Sequence, residues 1–142
     1  MTSLSQRDEP LASLPLPDEL ILWRRVPKDS VVVEMGPDGL ERSRPSSACF
    51  TDSRDGTAMS LFDSERCGGL PAVLEGHPGF GIASITVGQL RARGLTVART
   101  TDGGPGHCEA AGKKTQSIKS GLAKCAKWVV RPGDATGDPP TA

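Results

Sequence analysis

The chain contains few aromatic residues: of its 142 residues, three are Phe, two are Trp and none is Tyr. A densely packed core must therefore be built mainly from Val, Leu, Ile and Ala. The chain also lacks an excess of either charge, because it contains 17 basic and 17 acidic residues. No overall field draws such a protein towards nucleic acid or an acidic membrane surface. We expect no membrane partner and no nucleic-acid partner, so any anionic partner must be bound by a local patch.

Long apolar runs and paired cysteine motifs are absent as well. No run approaches the roughly 20 apolar residues of a membrane span, and the start lacks the basic and apolar segments of a secretion signal. We expect a soluble, cytoplasmic protein. Cys49, Cys67, Cys108 and Cys125 show no C-x-x-C spacing. Reduced, buried thiols are favoured over a disulfide framework or a zinc site.

The two ends differ in composition from the middle of the chain. Residues 1–17 mix small, charged and proline residues, and residues 132–142 are mostly Pro, Gly, Asp and Thr. Neither segment has an apolar period, so we predict flexible, solvated tails. Residues 18–131 have the length of one domain. Their strand-like runs, interspersed with short helical patterns, predict a single α+β domain with a mainly antiparallel sheet and two or three helices.

The first half of this domain reads as a β meander. Apolar, β-favouring runs lie at 20–26 and 30–36, and P-D-G at 37–39 supplies a turn after the second run. Two more runs, at 46–50 and 57–62, flank a loop closed by Asp-Gly, which predicts a hairpin.

The second half carries clearer boundary signals. The glycine-interrupted segment 64–76 predicts one or two helical turns. Thr86 and Gln89 form a T-x-x-Q capping box, which predicts that a strand at 81–86 runs into a helix at 87–93. Residues 95–100 and 107–112 then flank T-D-G-G-P-G, which predicts an antiparallel hairpin.

A last helix is predicted over 115–130. Ile118, Leu122, Cys125 and Val129 recur at helical period and form a narrow apolar stripe. This stripe places Cys125 on the buried face, which weakens any catalytic or metal role for its thiol.

The stretch GPGHCEAAGKKT, which leads into this helix, resembles a phosphate-binding loop but fails its spacing. The motif needs four residues between its glycines and a hydroxyl after the lysine, whereas here five residues intervene and Lys114 follows Lys113. One interpretation of Gly112, Lys113, Lys114 and Thr115 is an anion site, because free amides and the helix dipole at a helix start favour negative charge. The alternative is a solvated lysine face.

The same stretch contains one of the two histidines. His107 and Glu109 share one face of a predicted strand, and Cys108 and Ala110 share the other. The pair can be read as an acid–base couple or as half of a metal site, with His77 in a nearby loop. The alternative is two exposed polar residues on a solvated sheet face. Since no set of ligands has metal spacing, we predict no metal.

A wider arrangement begins with Arg24, which shares its strand face with apolar residues and so points inward or into a cleft. Arg24, then Ser46 or Ser47, then Glu109 follow the R-S-E order and in this resemble ADP-ribosyltransferases. In that family the arginine and serine hold NAD and the glutamate orients the ribose for transfer, so the resemblance implies these roles here. The family's acidic or glutamine partner two residues before the glutamate is replaced by His107.

A broader resemblance covers most of residues 21–130. The segments LWRR, RPSSACFTD, GHPGFGIAS and GHCEAAGKK are similar to those of a family of small uncharacterised bacterial proteins. This resemblance implies no activity.

Two functional hypotheses follow from these patterns. The first is a binding or accessory module without a cofactor, which contacts an anionic ligand or a protein partner through the junction at 112–115. The second is an NAD-using enzyme in which Arg24, Ser46 and Glu109 converge. They differ in whether those three side chains line a common cleft.

Overall fold

The computed structural model describes residues 15–53 and 56–133, and it holds a six-stranded sheet with a separate hairpin. The strands are β1 (Ile21–Val26), β2 (Val31–Met35), β3 (Glu41–Pro45), β4 (Met59–Asp63), β5 (Gly81–Thr86), β6 (Thr96–Arg99), β7 (His107–Ala111) and β8 (Lys127–Val130). The helices are α1 (Leu70–Leu74), α2 (Val87–Arg91) and α3 (Gln116–Cys125), and a single 3-10 turn spans Ser47–Cys49.

The sheet order is β6-β7-β4-β1-β5-β8, and every neighbouring pair is antiparallel. Strands β2 and β3 form a hairpin of their own. The predicted α+β domain with a mainly antiparallel sheet is confirmed. The first strand of the sheet, β1, lies near its middle, between β4 and β5.

The two faces of the sheet are covered differently. One face, which we call the core face, packs beneath α2 and α3 and contains the larger apolar cluster, including Leu22, Phe50, Leu61, Ile85, Leu90, Cys108, Ala110 and Leu122. Side chains alternate along a strand, so Trp23, Arg25, Ser60 and Phe62 lie on the opposite, outer face. That face holds a smaller cluster beneath α1: Phe62, Cys67, Val73 and Ile82.

Several local predictions are confirmed. Thr86 Oγ1 accepts from the Gln89 backbone N–H, and Gln89 Oε1 accepts from the Thr86 N–H, so the capping box starts α2. The hairpin around T-D-G-G-P-G is β6–β7. The weak segment at 64–76 contains α1, a single short helix.

The prediction of a β meander in the first half is wrong. Residues 46–50 contain the 3-10 turn instead of a strand, because the Ser46 hydroxyl accepts from the Ala48 N–H and starts a tight turn. The partner of β2 is β3, whose sequence E-R-S-R-P lacks the apolar alternation that would have revealed it. Strand β1 pairs with β4 and β5 instead of β2.

The predicted last helix is too long. Helix α3 ends at Cys125, and the chain then becomes extended so that Trp128 pairs with Ala83 of β5. Val129 is therefore not on a helical stripe, and 40% of its surface is exposed. Cys125 is half-buried at the rim of the core, whereas the other three cysteines are buried as predicted.

Part of each predicted tail contacts the domain. Arg99 donates to the Pro15 carbonyl and Arg91 donates to the Leu16 carbonyl, while the Gly133 N–H donates to Gly79. The remaining tail residues, 1–14 and 134–142, lie outside the described residues.

Candidate functional site

A cleft of about 500 Å³ opens on the outer face of the sheet. Its floor is formed by side chains of β1 and β4, one wall by α1, and the other by the glycine-rich loop 101–106. Its lining includes Arg25, Phe62, Ala72, Val73, Glu75, Gly103 and Gly104.

Arg25 is the charged group on the floor of this cleft. Its Nε donates to the Val73 carbonyl at 2.7 Å, and its guanidinium carbon lies 4.7 Å from the centroid of the Phe62 ring. Burial lowers the pKa of Arg25 from its usual value, but a guanidinium stays protonated at neutral pH. Within the described residues no carboxylate forms an ion pair with it. Among the described residues, Arg25 forms hydrogen bonds through Nε and Nη1, which leaves Nη2 for other contacts.

His77 holds Nη1 of Arg25 in place. Its Nδ1 lies 2.9 Å from the Glu75 carbonyl, which can only accept, so Nδ1 carries the proton. Its Nε2 then presents a lone pair to Arg25 Nη1, 3.2 Å away. The guanidinium is thus fixed on three sides, by a carbonyl, an imidazole and an aromatic ring.

His107 lies next to Phe62 and heads a chain of hydrogen bonds. The Thr100 hydroxyl donates to the Asp102 carbonyl at 2.7 Å, so Thr100 Oγ1 must accept from His107 Nδ1, 2.5 Å away. In the neutral imidazole Nε2 is then unprotonated, and the Ser60 hydroxyl donates to it across 3.0 Å. The Asp102 carbonyl fixes the directions of the first two bonds, and the neutral state of the imidazole fixes the third.

His107 is only 7% exposed. Burial lowers its pKa; the carboxylates of Glu109 and Asp102 oppose this shift, and Arg25 adds to it. The imidazole is consequently neutral at pH 7. Its burial corrects the interpretation of His107 and Glu109 as two exposed residues on a solvated face. The pair does share the outer face, and Cys108 and Ala110 lie in the core.

The loop above His107 depends on glycine. Gly103 has a φ of +83°, and a Cβ there would lie 2.6 Å from Cγ of the His107 ring. Gly106 has a φ of +73°, and a Cβ there would lie 2.9 Å from the Cys67 backbone nitrogen. A side chain is disfavoured at both positions for two reasons: the backbone φ is positive, and a Cβ would collide with neighbouring atoms. The loop can therefore cover the imidazole at close range.

The structure does not bring Arg24 and Glu109 together. Arg24 points inward, as predicted, and donates to three carbonyls: those of Cys49 (3.0 and 2.8 Å), Ser60 (2.7 Å) and Thr51 (3.3 Å). Burial lowers its pKa. It lies on the core face, whereas Glu109 lies on the outer face opposite Ser60.

The two serines of the same arrangement have local partners. Ser46 Oγ accepts from the Ala48 N–H, and Ser47 Oγ accepts from Gln116 Nε2 at 3.0 Å. The Ser46 hydroxyl caps the 3-10 turn, and the Ser47 hydroxyl connects the turn to α3.

At the junction of 112–115, one lysine is already paired. Lys114 Nζ donates to Asp52 at 2.6 Å and to the Gly112 carbonyl at 3.1 Å, and its side chain is only 4% exposed. Thr115 Oγ1 accepts from the Ile118 N–H and caps α3. Lys113 is exposed. The junction therefore offers one lysine to a ligand instead of two.

Sequence reasoning missed Arg25, Ser60 and Thr100, and it gave His77 no partner. One signal was available: Ser60 interrupts the otherwise apolar run of β4, which marks a polar position on the second face of that strand. The meeting of His107 with a serine 47 positions earlier in the chain has no local signature.

Among the described residues, no three His, Cys, Asp or Glu side chains group closely enough to hold a metal ion. No helix in the described ranges is long and apolar enough to cross a membrane. Comparison with known proteins finds no matching family model, no matching curated protein and no matching solved structure. The cleft and its arginine are therefore the basis for a functional assignment.

Proposed function

We propose that this protein is a small binding module for an anionic small molecule, which Arg25 holds in the cleft of the outer face. The observation that carries the proposal is a half-buried guanidinium that has fixed geometry and no carboxylate partner among the described residues. Buried charges are normally paired. A carboxylate or phosphate on a ligand supplies the missing charge to Nη2 through charge-assisted hydrogen bonds.

The other arginines make Arg25 distinctive. Five of them form ion pairs with carboxylates: Arg42 with Asp38, Arg44 with Glu34, Arg66 and Arg99 with Asp63, and Arg91 with Asp18. Arg24 and the half-buried Arg93 donate to backbone carbonyls, Arg93 to those of Gln89 and Gly121. Arg25 differs in that it is half-buried on the floor of a cleft and forms no ion pair among the described residues; Glu75, which also lines the cleft, is exposed. This is the arrangement expected of an anion-binding arginine.

The proposal keeps the class of ligand predicted from the sequence and moves its site. The junction of 112–115 was predicted from two lysines at a helix start, but Asp52 neutralises Lys114 there. A cytoplasmic location and the absence of a cofactor remain part of the proposal.

The test is a titration with inorganic phosphate and with succinate, followed by backbone amide NMR. We expect shifts at residues around Arg25 and α1, and binding that weakens as salt rises. Arg25→Gln should lower affinity about tenfold or more, the usual cost of losing a hydrogen bond to a charged group. Arg42→Gln, on the distant β2–β3 hairpin, is the matched control and should bind like the wild type.

A second pair of variants separates the two candidate places. Ala72→Phe narrows the cleft from its exposed wall without touching the sheet, and it should also weaken binding. Lys113→Ala removes the exposed lysine of the junction and should have no effect. Loss of binding in Lys113→Ala alone would place the ligand at the junction. Equal affinities in every variant would show that the cleft binds no anion.

A further inference from the structure

We propose that Ser60 is a nucleophile and His107 its general base, and that the pair cleaves esters bound at the outer face of the sheet. The expectation that the ester carries a negative charge rests on the proposed function. The nucleophile–base pair itself rests on a separate set of contacts, and it does not need Arg25 as a partner.

The hydrogen bonds around His107 have defined directions. Because the Asp102 carbonyl fixes the Thr100 hydroxyl and Thr100 fixes the proton on His107 Nδ1, Nε2 of the neutral imidazole accepts a hydrogen bond from Ser60. A nucleophilic hydroxyl needs such an arrangement: a base within hydrogen-bond reach whose other nitrogen is held by a third group. Thr100 takes the orienting place that an aspartate occupies in many serine hydrolases.

Ser60 and His107 differ in their access to solvent. Ser60 is partly exposed, whereas His107 is almost fully buried beneath the loop at 103–106. The Ser60 hydroxyl is therefore open to a reactant at the outer face, while the loop keeps water from most of the imidazole. Phe62, which lines the cleft, is two residues from Ser60 on the same strand face and packs edge-to-face on the His107 ring at 5.4 Å.

A second serine on the same face of the sheet has no histidine as its hydrogen-bond acceptor. Ser84 lies on the same face of the sheet, in β5, and its hydroxyl donates to the Lys127 carbonyl at 3.4 Å. A carbonyl cannot take up a proton as an imidazole does. Ser84 therefore has similar surroundings without a base, which makes it the internal control for the reactivity of Ser60.

The proposed reaction needs only Ser60, His107, the ester and water. Ser60 Oγ attacks the ester carbonyl carbon while its proton moves to His107 Nε2, and an oxyanion intermediate forms. The bond to the alcohol oxygen then breaks, and that oxygen takes the proton from Nε2. Water, deprotonated by the same nitrogen, hydrolyses the acyl-serine and restores the hydroxyl.

The experiment uses a neutral alkyl fluorophosphonate, which forms a bond from serine oxygen to phosphorus and releases fluoride. Adduct formation is followed by intact mass, and the modified serine is located by peptide mapping. We expect the adduct on Ser60 and not on Ser84. Ser60→Ala should form none, His107→Gln should react about a hundredfold more slowly or worse, and Ser84→Ala should match the wild type.

Two further measurements keep the test independent of folding defects. Thr100→Val keeps the shape of the side chain but removes the acceptor for Nδ1, so it should slow labelling while leaving the amide NMR spectrum largely unchanged. In the wild type, the labelling rate should fall as the pH drops through the pKa of His107. That profile tests the base even if the His107 variant does not fold.

The outcomes separate the two proposals. Because the probe is neutral, Arg25→Gln should still be labelled at Ser60 even though it loses phosphate and succinate. Hydrolysis of a nitrophenyl monoester of succinate, compared with nitrophenyl acetate, then tests the preference for a charged acyl group. Labelling of Ser60 no faster than that of Ser84, or at a rate that neither His107 nor pH affects, would overturn the nucleophile–base pair.

Discussion

The two faces of the six-stranded sheet share the same strands and have different surroundings. The core face is covered by two helices, and its charged groups have several polar partners. Asp63 accepts from Arg99 at 2.6 Å and from the Glu65 N–H, and Arg24 donates to three backbone carbonyls. The outer face is covered only by α1 and loops. There, Arg25 has no carboxylate partner in the described ranges, and a serine donates to a neutral histidine. The polar groups of the core face are engaged within the fold, whereas the outer face presents an arginine without an ion pair in the described ranges and a serine–histidine pair.

The largest expected difference between the two faces is in the free energy of unfolding of variants at two neighbouring residues of β1. Leu22→Ala removes a fully buried side chain from the core face and should lower the free energy of unfolding by about 2–5 kcal/mol. Ile21→Ala removes a similar volume from the outer face, where the residue is 45% exposed, and should cost about 1 kcal/mol or less. Urea unfolding of both variants measures the difference. Equal losses would show that the outer face is as tightly packed as the core.

An intermediate effect is expected for the adjacent arginines. Arg24→Met leaves the carbonyls of Cys49, Ser60 and Thr51 without their donor, so we expect a loss of about 1–3 kcal/mol in the free energy of unfolding. Arg25→Met keeps an apolar contact with Phe62 and should cost about 1 kcal/mol or less. Urea unfolding of both variants measures the two losses. A larger loss in Arg25→Met would assign it the structural role instead.

The smallest effect is a pH dependence. The pKa of His107 is lowered in the folded state below the ordinary value of 6.5, so the unfolded chain binds its proton first as the pH falls. Stability from this group is complete above pH 6.5 and is lost as the pH drops towards the folded-state pKa. Melting of the wild type at pH 7.5 and 5.5 should therefore show a greater decrease than melting of His107→Gln. Parallel decreases would mean that the imidazole titrates as it does in solution.

The sequence predicted those parts of the fold whose signals are local. The capping box at Thr86 needs only Gln89, three residues away, and the β6–β7 hairpin needs only its own turn. The end of α3 was missed because no local breaker marks it: the chain leaves the helix where Trp128 pairs with Ala83, far away in sequence. Tertiary pairing there outweighs a helical pattern that Val129 appeared to continue.

The site was harder to predict than the fold. His107 is predicted to act with Glu109, whereas its hydrogen-bond partners are Ser60 and Thr100. Arg24 is predicted to face a ligand but donates to backbone carbonyls, while Arg25, one position later, faces the cleft. A shift of one residue along a strand changes the face, so predicting which arginine faces the cleft requires knowing which face of the sheet is covered.

The central position of β1 has a consequence for the order in which the sheet can form during synthesis. Of the described strands, β1 leaves the ribosome first, but its neighbours β4 and β5 begin only at Met59 and Gly81. The β2–β3 hairpin can close early, while β1 keeps both hydrogen-bonding edges open until those later strands emerge. Pairing over such sequence distances is intrinsically slow and exposes strand edges to other chains. The interval between the emergence of β1 and that of β5 is therefore the period in which a nascent chain of this protein is most vulnerable to aggregation.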